Sequence, residues 1–249
     1  MVRSFCKTAL LGTVLLATSP WHAHAAEGEW QHEIAPYMWG SGMNGTARAG
    51  DVEGDVDMSF GDIVSSLEFA FMGAYRAQRD QFSVTVDAIY MALSEDVKDP
   101  GGQFKGEVDV DQTAFEVDAG WDLSDRLTLF GGLRYIDLAT DIRLKGTDDT
   151  RLRDEGSESW IDPVVGARYT HTFNAKWSAT LRGDIGGFGV GSQFAWQGIA
   201  ALRWQVQPNI GIVGAYRYID IDYSTGKGSS YFLYDMAISG PALGVAFSF

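Results

Sequence analysis

The chain has 249 residues, 45% of them hydrophobic and 13% aromatic, with 33 acidic against 19 basic side chains and a net charge of −14 at pH 7. That acidity excludes nucleic acid as an expected partner, because phosphate recognition needs clustered positive charge. The one cysteine, Cys6, lies near the start, so no disulfide, thiolate metal site or cysteine nucleophile is expected downstream of it.

In chain order, residues 1–25 read as a secretory signal peptide. Arg3 and Lys7 precede the apolar run from Ala9 to Ala17, and Ala23-His24-Ala25 is a small-x-small cleavage site. No later stretch approaches the roughly 20 continuous apolar residues of a membrane helix. The rest, 26–249, reads as one domain of about ten strand-like stretches with period-two alternation. The first runs from Trp30 to Gly40, with Trp30, Tyr37 and Trp39 as expected interface anchors. An acidic segment follows at 41–67, with alternation at Val52, Val56 and Met58 and a short helix over 59–67 capped by Ser59 or Asp62. Further strands are expected at 68–78, 81–95, 104–123, 126–142, 160–173, 177–188, 194–206, 210–223 and 231–249.

The connections alternate in length. Short turns fall at Arg79-Asp80, Ser124-Asp125, Asn174-Ala175-Lys176 and Gln207-Pro208-Asn209, and longer polar links at 96–103, 145–159, 186–193 and 224–230. Short turns on one side and long loops on the other predict an all-β, closed antiparallel transmembrane β-barrel with periplasmic turns and outer loops. Ten strands satisfy the parity. Eight or twelve stay possible, twelve if 46–58 adds a hairpin.

The closing strand has Leu243, Val245, Phe247 and Phe249 on one face and Ala242, Gly244, Ala246 and Ser248 on the other. The large set suits lipid. A terminal Phe after alternating apolar residues resembles the signal read by outer-membrane barrel-assembly machinery, so those four residues are the expected assembly signal. The same alternation puts Phe82, Val84, Val86, Ala88 and Tyr90 outward, with Ser83, Thr85 and Asp87 inward. It puts Leu129, Leu133 and Tyr135 outward against Arg134, and Leu181 and Ile185 outward against Arg182 and Asp184. Trp196, Leu202 and Trp204 are assigned to lipid, which sends Gln197 and Arg203 inward. Trp121, Tyr169, Phe173, Trp177 and Trp204 form the expected aromatic girdle at the turn end.

The inward set is rich in charge: Arg76, Arg134, Arg168, Arg182, Arg203 and Arg217 with Glu68, Asp87, Glu116, Asp118, Asp162 and Asp184. In so narrow a barrel these charges are expected to pair, and arginine suits bidentate pairing with carboxylates. Two readings stay open, a structural salt-bridge core and the charged constriction of a narrow pore. Catalysis has little support, since His32 and His171 both fall near turn-end positions away from a candidate Ser. The acidic loop residues Asp51, Glu53, Asp55, Asp57, Asp148, Asp149, Asp154 and Glu155 lack EF-hand spacing. The glycine-rich run at 186–192 lacks the lysine of a phosphate loop and reads as a strand bend.

The pieces P-Y-M-W-G at 36–40, W-I-D-P-V-V-G-A-R-Y at 160–169, R-G-D-I-G-G-F-G-V-G-S at 182–192, Y-R-Y-I-D at 216–220 and G-P-A-L-G-V-A-F-S-F at 240–249 together resemble a widespread family of Gram-negative outer-membrane β-barrels, of the opacity-protein and OmpA-like kind. The resemblance implies a barrel fold and an outer-membrane location, with lipids and lipopolysaccharide as surroundings. It brings no substrate, cofactor, metal or catalytic residue. The functional expectation is a structural or surface-interaction barrel with a charge-filled lumen. A narrow channel for small polar solutes is the alternative, and a lipid-modifying enzyme a remote one.

Overall fold

A computed structural model describes residues 28–50, 52–98, 104–146 and 151–249. The expected signal peptide at 1–25, Asp51 and the Asp148-Asp149 pair lie outside them. The described chain is built of β1 (Gln31–Trp39), β2 (Gly42–Ala49), β3 (Val52–Met58), α1 (Phe60–Ser66), β4 (Leu67–Arg79), β5 (Phe82–Lys98), β6 (Phe104–Ser124) and β7 (Leu127–Gly146). It continues with β8 (Arg151–Asn174), β9 (Trp177–Gly186), β10 (Phe194–Gln207), β11 (Ile210–Thr225) and β12 (Phe232–Ser248).

Each strand from β4 to β12 pairs antiparallel with the next, β4 pairs with β1, and β1 pairs with β12. The result is a closed antiparallel barrel of ten strands. Closure leaves the wall without a free sheet edge, the condition for strands in lipid. The seam is extended by the backbone of His32, which exchanges two 2.9 Å hydrogen bonds with Phe249.

The short-turn end has four two-residue turns, between Arg79 and Phe82, Ser124 and Leu127, Asn174 and Trp177, and Gln207 and Ile210. Asp80 adopts a positive φ of 51° in the first, a conformation that short-side-chain Asp tolerates. The long-loop end departs from expectation in two places. The link at 145–159 is mostly strand, because β8 begins at Arg151, so β7 and β8 run 20 and 24 residues. A tilted span needs only about 9–11, so these strands project well beyond lipid.

The segment 41–67 is also ordered. β2 continues the line of β1 along β12, in the same register, and folds back as a hairpin with β3. The hairpin adds no barrel strand, and β3 pairs with β2 alone. Helix α1 follows. Ser59 is its cap, with its hydroxyl accepting from the Asp62 N–H at 3.3 Å and the Asp62 carboxylate accepting from the Ser59 N–H at 2.8 Å. Ile63 is its buried residue.

Outside, the wall carries the expected apolar face. Phe115, Val117, Leu133, Ile161, Val165, Leu181, Leu202, Leu243 and Phe247 are all exposed to the surroundings. At the turn end Trp121, Tyr169, Phe173, Trp177 and Trp204 form an exposed aromatic belt. Toward the loop end the outward tyrosines Tyr90, Tyr135 and Tyr218 each donate a hydrogen bond to an aspartate, Asp111, Asp137 and Asp220, at 2.8, 3.2 and 3.1 Å. These pairs mark where the outer face turns from apolar to polar.

Candidate functional site

The lumen is layered. Its middle is an ion-pair layer contributed by strands β5, β6, β7, β9, β10 and β11. Arg134 donates to Glu116 at 2.5 Å and to Asp184 at 2.7 Å. Arg182 reaches Asp184 at 3.2 Å and Asp118 at 3.0 Å, and also bonds Glu116. Gln197 donates to Asp184 at 2.9 Å and accepts from Arg217 at 2.7 Å. Arg217 continues the chain to Asp87 at 2.9 Å, which also accepts the Tyr37 hydroxyl at 2.9 Å. Glu116, Asp118, Arg134 and Asp184 are buried. Planar guanidinium forks allow each arginine to serve several carboxylates at once, which is what makes charge tolerable here.

Toward the turn end lies a cavity of about 480 Å³, lined by Gln31, Glu33, Arg76, Thr85, Arg168, Thr180, Arg203 and Ser248 among others. Arg203 pairs with Glu33 at 2.6 Å, and Glu33 also accepts the Ser248 hydroxyl at 3.0 Å. A Cβ on Gly211 would fall 2.6 Å from Arg203 Nε, so the bare glycine gives that guanidinium its place.

Toward the loop end the lumen is apolar. Trp39, Ile89, Met91, Ile136, Trp160, Ile219, Ile221, Tyr223, Tyr234, Met236 and Ile238 form one buried cluster. Trp160 stacks on Tyr223 with ring centroids 4.0 Å apart. A small gap of about 30 Å³ separates this cluster from Arg134 and Arg217. Room for about one or two waters is all it offers.

Most inward residues read from the alternation lie inward, and some but not all of them pair. Arg134, Arg182, Arg203 and Arg217 face Asp87, Glu116, Asp118, Asp184 and Glu33 in ion pairs. Arg76 and Arg168 line the cavity without an ion pair among the described residues. Asp162 is fully buried but belongs to no ion pair among the described residues: it accepts the Ser192 N–H at 2.6 Å and the Ser192 hydroxyl, so it pins the loop between β9 and β10 against the wall. Glu68 is exposed, because a bulge between Leu67 and Phe69 interrupts the alternation there. Tyr37 and Trp39, expected at the lipid interface, point into the lumen. Leu243, Val245, Phe247 and Phe249 lie on the outer face as expected.

Sequence reasoning missed the apolar half of the lumen. It also missed Glu33, Tyr37 and the inward Phe130, over which Arg182 lies at 4.4 Å.

A closed wall, an apolar outer face and a polar-layered interior define a β-barrel of the outer-membrane type. Among solved structures the outer-membrane protease OmpT of Escherichia coli is similar, with a TM-score of 0.56, 8% identity, and coverage of 89% of this chain and 97% of that one. The attachment invasion locus protein Ail of Yersinia pestis is matched at a TM-score of 0.37 and 10% identity, over 90% of this chain and 100% of that one. No protein-family model and no curated protein matches the sequence. The likeness to OmpT is one of fold.

Proposed function

We propose that the protein is an outer-membrane barrel with a closed lumen, serving a structural or surface-interaction role through its wall and projecting sheet. The observation that carries this is the stacking of two obstructions. An ion-pair layer fills the middle of the lumen, and a sheath of buried aromatic and aliphatic groups fills the loop-end half. An apolar constriction resists wetting, so the polar cavity beneath it has no water path onward.

The projecting sheet supplies the surface. On β6, β7 and β8 the exposed Arg143 reaches Glu107 and Asp109 and the exposed Arg153 reaches Asp141 across strands, with Asp141 and Glu155 also paired along their own strands. Such exposed pairs add little stability but fix a charged outer surface facing lipopolysaccharide and solvent. Against a catalytic role, the His32 ring is engaged with the Tyr75 hydroxyl at 2.7 Å and stacks on Phe249, and His171 packs against Phe173 on the outer wall.

The test is single-channel conductance of refolded protein in planar bilayers. Folded wild type is expected to be silent, and a variant that opens both layers, Trp160→Ala and Ile136→Ser with Arg134→Ala, to pass current. Steady current through wild type would overturn the closed-lumen reading in favour of a narrow channel.

A further inference from the structure

The lining of the turn-end cavity holds more guanidinium groups than carboxylates. There are five guanidinium groups, Arg76, Arg168, Arg182, Arg203 and Arg217, against three carboxylates, Glu33, Asp87 and Glu116. The carboxylates are already used. Glu33 holds Arg203 at 2.6 Å, Asp87 holds Arg217 at 2.9 Å, and Glu116 holds Arg182 and Arg134.

Two arginines are left over. Among the described residues Arg76 donates only to the Gln78 amide oxygen, at 3.0 Å, and its Nε is buried without an acceptor. Arg168 lies over the Phe130 ring at 5.9 Å and makes no hydrogen bond among the described residues. Of the acids behind them, Asp118 meets Arg182 at 3.0 Å through one oxygen while its other oxygen is buried without a partner, and Asp122 accepts from Gln78 at 2.9 Å and Thr128 at 2.5 Å. A guanidinium drawn from bulk water without a counter-charge is costly, and an oxyanion between two of them makes short, charge-assisted hydrogen bonds that remove the cost.

We infer that this cavity binds a small phosphate-type oxyanion between Arg76 and Arg168, admitted from the short-turn end. The barrel wall separates the two arginines from lipid. The geometry therefore fits a free ion better than a lipid headgroup carrying the same phosphate chemistry. The inference does not depend on whether the lumen conducts.

The experiment is a titration of the folded full barrel in phosphatidylcholine nanodiscs with sodium phosphate, at constant ionic strength set by sodium chloride. Arginine Nε signals in nitrogen-15 spectra report the site, and those of Arg203 and Arg217, in the same lining, report it in variants that lack Arg76 or Arg168. Saturable shifts of the Arg76 and Arg168 signals are expected. Arg76→Gln and Arg168→Gln should each weaken binding about tenfold or more, as losing a charge-assisted hydrogen bond does. The double variant should abolish it, and Arg48→Gln, on the distant hairpin, should leave it unchanged. A second arm replaces the lipid with phosphatidylglycerol and omits phosphate. Shifts of the same two signals there would support the oxyanion site and name a headgroup as its source. Folding of each variant is checked by its heat-modifiable gel mobility. Folded wild type without a saturable shift in either arm, or with a shift that survives the double variant, would overturn the inference.

Discussion

The two halves of the lumen are built from the same strands and hold opposite chemistries. On β11, Arg217 faces the ion-pair layer, and two, four and six residues further on Ile219, Ile221 and Tyr223 face the apolar half. The outer face changes the other way, from Tyr216 to Asp220 and Asp222. Inside lipid, apolar groups point out and polar groups in. Beyond it, water lies outside, so polar groups point out and the apolar ones turn in to form a core. The lesson is that one uninterrupted period-two strand can serve two solvents by exchanging which parity is apolar.

The comparison breaks most readily at Arg134. In the polar half, Arg134→Met leaves Glu116 and Asp184 short of a counter-charge and should cost about 3–5 kcal/mol, the usual result of removing one partner of a buried pair. A urea unfolding midpoint in vesicles measures it. An unchanged midpoint would mean that the layer is hydrated enough to do without its pairs. In the apolar half, Trp160→Ala should cost about 3 kcal/mol through the cavity left against Tyr223 and Tyr234. Added sodium chloride should screen neither loss much, because both sites are buried.

The smallest effect belongs to the rim. The Ser59 hydroxyl and backbone N–H donate to the Asp62 carboxylate and hold it below the usual carboxylate range. Its contribution is thus present above the unfolded-state value near 4 and lost as pH falls through the lower folded value. Amide protection factors in α1, taken relative to the intrinsic exchange rate, should fall below about pH 4, while those of β7 do not change over the same window. In Asp62→Asn the α1 response should disappear.

Much of the barrel is legible in the sequence because membrane strands are short-range objects. Alternation on Phe82 to Tyr90, the two-residue turns and the paired large and small faces of 242–249 need no distant information. The inward face of Arg134 and Arg182 is legible for the same reason. Their partners are so only in part, for Glu116 stands directly opposite Arg134 on the neighbouring strand but the others do not. Asp184 lies 50 residues from Arg134 and Glu116 lies 66 from Arg182, on strands that are not neighbours in the wall. Only curvature brings them together, and no local pattern encodes it. The idle state of Arg76 and Arg168 is hidden for that reason too. The apolar half had a signal, the I-D-I-D-Y run at 219–223, in which the apolar parity is that of Arg217. A reading that holds one parity for lipid along a whole strand passes over it.

The β1–β12 seam has a consequence for the order of assembly. Every other neighbouring pair in the wall except β4 with β1 is joined by a single connection, and most close as local hairpins. The seam joins Glu33 to Ser248, 215 positions apart, and needs both ends of the chain. Closing a loop that long costs only slowly growing entropy, but the contact rewards nothing until the intervening strands are in place. The seam is therefore expected to close last, an open, curling sheet with β1 and β12 as its edges becoming a continuous cylinder in one late step.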